Sequence, residues 1–334
     1  MNVIRFLFFF AISVFCLFSV LYAYRYLAYP IQTQGREKVV TIQPGDSFQE
    51  VARLLAAEKI ISDPFKFRIL GRITGKGSRV QAGEFLIDTG WSRLQLLDEL
   101  VKGRSVLYTL SIPEGLPWWE TGKLIQKEGL TSLQSFQQAI HDKSLLQKFN
   151  IPAENAEGYL FPETYSLPRP RKGRAGPIVD QMLAEFRRRV QSHIWPQRLP
   201  EAETIHRIVT LASIIEKETA QEGERSRISG VYKNRLEKGM RLQCDPTVIY
   251  GLGPDFNGNL TRKDLQDKSN EYNTYRSSGL PPGPICSPGL ASLLAAVNPE
   301  EHDYLYFVAK DDGSHHFSRT LAEHNRAVRK YQLN

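Results

Sequence analysis

The chain has 334 residues, enough for two or three domains with hydrophobic cores of their own, which excludes a small scaffold held together by disulfides or metals. Lys and Arg outnumber Asp and Glu by 43 to 36, and the net charge of +7 is spread along the chain. This basic excess suits an anionic membrane surface or an acidic polymer. Because no fingerprint of a nucleic-acid-binding module accompanies it, we expect no nucleic-acid partner.

The N-terminus carries a long apolar run. From Phe6 to Tyr24 there are 19 residues without a charge, and a helix rising about 1.5 Å per residue crosses most of a ~30 Å hydrocarbon core over that length. We predict a short tail (1–5), one transmembrane helix (6–25) and a polar tether (26–38). A cleaved signal peptide is the alternative, but its apolar region is shorter, and the segment beginning at Leu21 puts a large residue where its cleavage site needs a small one.

A small α+β module is predicted for residues 39–104. Residues 39–42 alternate as a strand and lead into a turn at 43–46. Ser47 and Glu50 then have the spacing of a capping box at the start of a helix. A second alternating segment at 82–87 precedes a helical stretch at 92–102, which Gly103 can terminate.

A larger α+β domain is predicted for residues 105–334. It begins with a strand at 106–112 and a turn at 113–115, and it continues through helical stretches to a loop at 157–165. A Pro- and Arg-rich loop at 168–177 precedes a helix at 178–190. Residues 203–334 are the richest in unusual polar and aromatic groups.

The sequence offers no metal site. Its three cysteines are Cys16 in the apolar run, Cys244 and Cys286, and no C-x-x-C or H-E-x-x-H spacing occurs. His315 and His316 are adjacent, and adjacent residues of a strand face opposite ways, so they do not form a ligand pair. A Cys244–Cys286 disulfide is compatible with an oxidising compartment, and the sequence leaves it open.

Two acids end a predicted buried helix at 204–219. Glu216 and Glu218 lie two residues apart and point to nearly opposite sides, so they do not form a facing carboxylate pair. An acid pressed against apolar side chains has a raised pKa, as protonation of a glycosidic oxygen near neutral pH requires. Helical periodicity does not choose between the two acids; if it favours either as the acid on the apolar side, it favours Glu216. The plainer interpretation is a helix-end ion pair with Lys217 or Arg225.

Two further segments carry candidate binding groups. The segment 241–251 contains Gln243 and places Asp245 before a proline, at a predicted turn beside a strand; an acid there is more often a turn former than a reacting group. The segment from Asn273 through Tyr275 precedes a Pro-rich loop at 279–289, whose amide and aromatic groups suit a sugar-binding groove. A Pro-rich connection without a binding role is the alternative.

Six motifs together resemble the endolytic murein transglycosylase family, also called MltG or YceG-like. They recur in the family's order over about residues 39–331, nearly the whole chain beyond the apolar run. Residues 39–103 resemble the family's LysM-like part. Cys244 stands where we would expect Ser or Thr, and Ser287 where we would expect Asn. The matching segments are Glu157–Tyr165, Leu211–Thr219, Asp245–Gly251, Tyr272–Tyr275, Gly279–Ile285 and Tyr304–Ala309.

The resemblance implies a mechanism and a catalytic residue. The family's catalytic glutamate is the second acid of the Glu-Lys-Glu-Thr motif, here Glu218, which overrides the periodicity argument. The implied reaction cuts the β-1,4 bond between N-acetylmuramic acid and N-acetylglucosamine and leaves a 1,6-anhydro end, with no metal and no cofactor. For substrate binding we expect Asp245, Asn273, Tyr275 and Gln243 to line the groove.

The resemblance also implies a location and partners. We expect a single-pass protein of the bacterial cytoplasmic (inner) membrane, with its tail in the cytoplasm and its catalytic domain outside. Glycan strands of peptidoglycan are the expected substrate, and peptidoglycan synthases the expected neighbours. Two alternatives remain: a muramidase in which Asp245 or Glu163 activates water, and a non-catalytic wall-binding scaffold.

Overall fold

The computed structural model describes residues 2–31, 34–43, 45–103, 106–170, 173–219 and 221–333. The chain is a mixed α/β protein, as predicted, and it divides into two compact units. Unit 1 comprises Met1–Tyr108 and Ser166–Arg171, and unit 2 comprises Thr109–Tyr165 and Lys172–Asn334. The sequence predicted one break after residue 104, whereas the division falls after Tyr108 and assigns a short later segment to unit 1.

One apolar helix, α1, opens unit 1. It runs from Asn2 to Ala28, and its stretch Leu7–Ala28 is long and apolar enough to cross a membrane, which fits a single-pass anchor. The helix extends beyond the predicted end at residue 25 and stops at Ala28, shortly before Pro30, which disfavours a helical conformation at the residue before it. Since β1 already begins at Glu37, the tether is shorter than predicted at both ends.

After α1, unit 1 follows a strand, helix, helix, strand, helix order. Strands β1 and β2 pair antiparallel, from Glu37 opposite Asp88 to Ile42 opposite Gly83. The predicted capping box of Ser47 and Glu50 is present, and Gly103 ends α4 with a positive φ of 71°. Helix α3 was not predicted from the sequence. The elements are β1 (Glu37–Ile42), α2 (Phe48–Ala57), α3 (Pro64–Ile73), a 3₁₀ turn (Gly77–Arg79), β2 (Gly83–Asp88) and α4 (Arg93–Lys102).

The core of unit 1 lies between its two-stranded sheet and its helices. Val40 and Ile42 point inward from alternate positions of β1, as the period of a strand requires. They meet Phe67 of α3 and Leu96 of α4 in one buried cluster. Leu27, near the end of α1, and Ile31, just after it, also pack against this core.

Unit 2 is mainly helical. Strands β3 and β4 pair in a two-stranded sheet, and the division between the units falls within these strands. Strands β5 and β6 form an antiparallel hairpin, from Tyr306 opposite Ser318 to Ala309 opposite His315. The strands are β3 (Leu107–Ser111), β4 (Thr164–Pro168), β5 (Tyr306–Ala309) and β6 (His315–Ser318). The helices are α5 (Trp118–Lys127), α6 (Leu133–Ile140), α7 (Lys143–Lys148), α8 (Gly176–His193), α9 (Ala202–Glu218), α10 (Arg225–Glu237), α11 (Asp245–Leu252), α12 (Arg262–Gln266), α13 (Leu290–Val297) and α14 (Leu321–Tyr331).

Helix α9 is the central element of unit 2. It packs against α10, α11 and α13, and its buried residues occupy a broad arc that includes Val209, Ala212, Ile214 and Ile215. A helix that is apolar around most of its circumference is buried among neighbours instead of lying on a surface. The predicted buried helix is therefore confirmed, and its C-terminal acids are held against packed elements.

Candidate active site

The two acids at the end of α9 have different surroundings. The helix stops at Glu218 because Thr219 takes an extended backbone, with φ −146° and ψ 137°. Glu216 turns toward α13, where its Oε2 accepts a hydrogen bond of 3.0 Å from the backbone N–H of Gly289, the N-cap of that helix. Arg225 lies 4.0 Å from its other oxygen. The carboxylate of Glu216 is therefore used at a helix N-terminus, where negative charge is favourable.

Glu218 faces an open cleft. Its Oε1 accepts a 2.8 Å hydrogen bond from the hydroxyl of Tyr232 and a 2.9 Å hydrogen bond from the thiol of Cys244. Burial raises the pKa of Glu218, and these two hydrogen bonds oppose that rise in part. Because both donors engage Oε1, the proton of the acid form belongs on Oε2. Burial therefore favours the acid form of Glu218, and the two donors fix the orientation of its carboxyl group.

The cleft has a volume of about 650 Å³, within the range of ligand-binding sites. It is lined from the C-terminal end of α9, from α10, from the segment leading into α11, from strand β5 and from α14. Asp245 and Glu218 are the carboxylates among its lining residues. The polar and aromatic lining also includes Arg235, Gln243, Tyr275, Tyr306, His315 and His324.

Three of the four predicted substrate-binding residues line this cleft with Glu218. Asp245 is exposed, and its Oδ1 accepts a 2.6 Å hydrogen bond from the hydroxyl of Tyr275. Gln243 is also exposed and has a φ of 52°, in the left-handed region that side chains rarely adopt. The N–H of Gln243 donates to the carbonyl of Thr274, which ties its loop to that of Tyr275.

Asn273 does not contact the cleft, contrary to the expectation from the resemblance. It is fully buried, and its Nδ2 donates to the backbone carbonyls of Asp264, Leu265 and Asp267 at 3.1, 3.3 and 2.7 Å. Its Oδ1 accepts a 3.0 Å hydrogen bond from the N–H of Tyr275. An amide with its donors and acceptor committed to the backbone shapes the loop, so Asn273 positions Tyr275.

The segment after Asp245 is a helix and not the predicted strand. Asp245 and Pro246 begin α11, with Cys244 as the N-cap. Proline favours the first turn of a helix, where its missing N–H costs nothing, and an acid there complements the helix dipole. The apolar residues Val248 and Ile249 suggested a strand, but helix packing against α9 overrides that local preference.

Other polar groups around the acid were not predicted. Tyr232 lies 14 residues beyond Glu218 in the chain, and no local pattern links the two. His315 lines the cleft, and its Nδ1 lies 2.6 Å from Oε2 of Glu224, an ion pair if the imidazole is protonated. Arg235 is buried and donates to the carbonyls of Leu242 and Leu305.

The cysteines and the alternative base have other partners. Cys244 and Cys286 are both buried and free, and the thiol of Cys286 lies 3.3 Å from the carbonyl oxygen of Ser213. Glu163, which the hydrolase alternative considered, forms an ion pair with Arg189 of α8 and is not among the residues lining the cleft. Asp245 is therefore the carboxylate that could serve beside Glu218 there.

Comparison with known proteins relates nearly the whole chain to one group. The chain is 30% identical over 318 residues to a protein of Bacillus subtilis named endolytic murein transglycosylase, covering 90% of this chain and 87% of the relative. A Streptococcus pneumoniae protein of the same name is 27% identical over 334 residues. That match covers 90% of this chain and 60% of the length of the Streptococcus protein.

A solved structure agrees with these relatives. The 2.6 Å crystal structure of a YceG-like protein from Listeria monocytogenes has a TM-score of 0.58 and 30% sequence identity to this chain. The match covers 87% of this chain and 98% of the Listeria chain. Residues 40–330 match the YceG-like family, a range that includes the cleft and all the residues that line it except Gln332. The chain is therefore a member of the YceG-like family.

Proposed function

We propose that this protein is an endolytic lytic transglycosylase of peptidoglycan. It cuts the β-1,4 bond between N-acetylmuramic acid and N-acetylglucosamine within glycan strands and leaves a 1,6-anhydro-muramic end. The relatives named endolytic murein transglycosylase support the reaction class. The observation that carries the proposal is the position of Glu218, an acid of raised pKa that borders an open polar cleft.

Glu218 acts first as an acid and then as a base. Its Oε2 proton passes to the glycosidic oxygen, the bond from that oxygen to C1 of the muramic ring breaks, and the N-acetylglucosamine residue leaves as an alcohol. The C6 hydroxyl oxygen of the same muramic ring then bonds to C1, and its proton returns to Glu218. The acid is regenerated and no water is consumed. General acid and base help of this kind contributes about 10²–10⁴ in rate.

Tyr232 and Cys244 support both halves of this cycle as positioning residues. Their hydrogen bonds hold Oε1 in place, so Oε2 is presented to the cleft in the acid form. In the intermediate state Glu218 is a carboxylate, and the same two donors stabilise its charge without moving. Burial raises the pKa of Glu218 and so favours its acid form, while the two donors limit the cost of the charged state.

One feature of the cleft favours a hydrolase as the second candidate. Most glycosidases use two carboxylates, and Asp245 lines the same cleft as Glu218. In a muramidase Asp245 would activate water, and the product would carry a reducing end. The hydrogen bond from Tyr275 instead commits one oxygen of Asp245 to shaping the groove.

The location and the partners belong to the same proposal. α1 would span the bacterial cytoplasmic (inner) membrane, with the short tail in the cytoplasm and unit 2 outside. The strand, helix, helix, strand order of unit 1 supports a LysM-like module that contacts glycan. Cutting within strands would place the protein beside peptidoglycan synthases while their product is still being extended.

The chemical nature of the new glycan ends tests this proposal. The full chain in detergent micelles would act on uncrosslinked glycan strands, with mass spectrometry of the products, beside the variants Glu218→Gln and Glu203→Gln. Glu203 is an exposed acid in the first turn of the same helix and provides the matched control. We expect anhydro-muramic ends from the wild type and the control, and none from a folded Glu218→Gln variant. Reducing ends would support the hydrolase, and unchanged strands would support the scaffold.

A further inference from the structure

Helix α3 of unit 1 carries an exposed apolar stripe. Phe65, Ile69 and Ile73 are 64%, 42% and 79% exposed, and their spacing of four residues puts them on one side of the helix. The opposite side buries Phe67 and Leu70 in the core of the unit. Single exposed apolar residues are ordinary, but a continuous stripe marks an interaction surface.

Basic residues flank this stripe on both edges. At about 100° per residue, Arg68 and Arg72 fall along one edge of the stripe and Lys66 along the other. The ten residues of α3 include no Asp or Glu. We call these six residues, three apolar and three basic, the α3 surface. An apolar centre with basic edges is the pattern of a helix that lies in a membrane interface.

The α3 surface lies beside the C-terminal end of the apolar helix. The Nζ of Lys66 donates a 2.7 Å hydrogen bond to the hydroxyl of Tyr22 and lies 5.3 Å from the centre of its ring. The same Nζ is 5.8 Å from the ring centre of Tyr26. Tyrosines near the end of a membrane-spanning helix sit at headgroup level, so these contacts give α3 the same depth.

The depth of α3 is fixed because the C-terminal end of α1 packs against unit 1. Leu27 and Ile31 pack against the core of unit 1. Arg93 of α4 lies 4.5 Å above the ring of Tyr26 and donates to the carbonyls of Tyr26 and Tyr29 at 3.0 and 3.3 Å. Two elements of the unit, α3 and α4, therefore hold the last turns of α1.

We propose that the α3 surface docks on the anionic lipid bilayer that contains α1. Phe65, Ile69 and Ile73 enter the boundary between headgroups and acyl chains, while Arg68 and Arg72 contact lipid phosphates. Lys66 keeps its contacts with Tyr22 and with Asp63, the N-cap of α3. This second attachment adds to the contacts of α1 with unit 1 and keeps the α3 surface against the membrane. The inference rests on the membrane location proposed for α1, and it does not depend on the catalytic role of Glu218.

A glycan strand suits the α3 surface less well. Phe65, Arg68, Ile69 and Arg72 also border a groove of about 910 Å³, but Ile73, the most exposed member of the stripe, lies outside it. Sugar sites combine stacking rings with hydrogen-bonding groups, and isoleucine side chains supply neither. Apolar side chains next to cations are suited to a lipid interface.

Lipid-borne quenchers test the docking in the full chain. The protein with Cys16→Ser would carry a fluorophore at Ile73→Cys, and a matched sample would carry it at Arg53→Cys, an exposed position on α2. Both would be reconstituted in vesicles of phosphatidylcholine with or without phosphatidylglycerol, each with a spin-labelled lipid. Cys244 and Cys286 are buried and do not compete for the label.

We expect strong quenching at residue 73, little at residue 53, and a larger difference in the anionic vesicles. Each cation near an anionic surface changes the docked-to-undocked ratio about fivefold, so Arg68→Gln with Arg72→Gln should lower it about 25-fold, and the control Arg53→Gln should not. Equal quenching at both positions, or no response to loss of both arginines, would overturn the proposal. Loss of quenching on addition of uncrosslinked glycan strands, with no dependence on lipid charge, would assign the surface to glycan instead.

Discussion

The hydroxyl of Tyr232 on α10 donates a 2.8 Å hydrogen bond to Oε1 of Glu218 at the end of α9. Tyr232 is almost fully buried, so the donor cannot be replaced by water without opening the packed interface between the two helices. A buried donor to a carboxylate lowers the pKa of that carboxylate, here against the rise that burial causes. The resting charge of the acid is therefore set by the packing of α9 against α10.

Replacing Tyr232 by phenylalanine should move the pH dependence of the reaction. The proposed mechanism needs protonated Glu218, so activity should fall as pH rises through the pKa of that group. Loss of the hydrogen bond raises this pKa further, and the falling limb of kcat/KM should move upward by about one to two pH units. The pH profile of anhydro-end formation measures the shift.

The control for this change is Tyr306→Phe, which removes a hydroxyl from the lining of the same cleft. It should leave the falling limb in place, because Tyr306 is not among the groups that shift the pKa of Glu218. An unchanged falling limb of kcat/KM in Tyr232→Phe would mean that another group controls the pH dependence.

The second donor, Cys244, gives a graded test. A hydroxyl is a stronger donor than a thiol, so Cys244→Ser should stabilise the carboxylate and move the falling limb to lower pH by up to about one unit. Cys244→Ala removes the donor and should move the limb the other way. Cys286→Ser changes a second buried thiol, whose partner is the carbonyl of Ser213, and should have no effect on the limb. The same direction of shift in both Cys244 variants would contradict this account.

Glu216 should affect stability and not product chemistry. In Glu216→Gln, Arg225 loses its nearest carboxylate and the N-terminus of α13 loses a negative charge. We expect a loss of about 1–3 kcal/mol, seen as a fall in the melting temperature of about 2–4 °C per kcal/mol for a unit of this size. The products should keep their anhydro ends. Loss of those ends with an unchanged melting temperature would make Glu216 the acid.

These two glutamates show how far the sequence could be interpreted. Helix α9 with its broad apolar arc, and the capping box of α2 in unit 1, follow from local spacing, and they were predicted correctly. The choice between Glu216 and Glu218 could not follow from spacing, because it depends on partners 14, 26 and 73 residues away along the chain. Tertiary contacts of that range leave no periodic trace in the sequence.

The errors around the cleft have a related cause. The segment after Asp245 has apolar residues that suit either a strand or a helix, and its packing against α9 decides for the helix. Asn273 was expected to line the groove because amide groups suit sugar binding. Its Nδ2 instead donates to three backbone carbonyls that lie within ten residues of it in the chain. A polar side chain in a loop rich in turns often serves the loop itself.

Glu157 should make unit 2 less stable as pH rises. It is buried, with 3% of its surface exposed, and burial raises its pKa from 4.5 to about 7, despite hydrogen bonds from the N–H groups of Trp118 and Gly158. The folded state thus binds its proton more tightly than the unfolded state. The stabilisation is fully present below about pH 4.5 and is lost as pH rises toward 7, on the order of 3 kcal/mol in total.

Glu157→Gln removes this titration. The stability of the variant relative to wild type should therefore improve between pH 5 and pH 8, as measured by denaturant midpoints of tryptophan fluorescence at the two pH values. Glu154→Gln is the matched control, because it makes the same change three residues earlier and its pH dependence should follow the wild type. A constant difference between Glu157→Gln and wild type at both pH values would contradict the prediction.

Asp245→Asn separates the transglycosylase from the hydrolase by its products and by whether KM or kcat changes. In the transglycosylase, Asp245 shapes the groove through its hydrogen bond with Tyr275, so the variant should bind glycan more weakly while every new end remains anhydro-muramic. Asparagine can still accept that hydrogen bond, which limits the expected rise in KM to about tenfold, the loss of a charge-assisted bond of about 1.4 kcal/mol. In a hydrolase the same change removes the base that activates water, and kcat would fall by about 10²–10⁴. Measuring KM, kcat and the ratio of anhydro to reducing ends in one series therefore distinguishes a carboxylate that holds the strand from one that takes a proton.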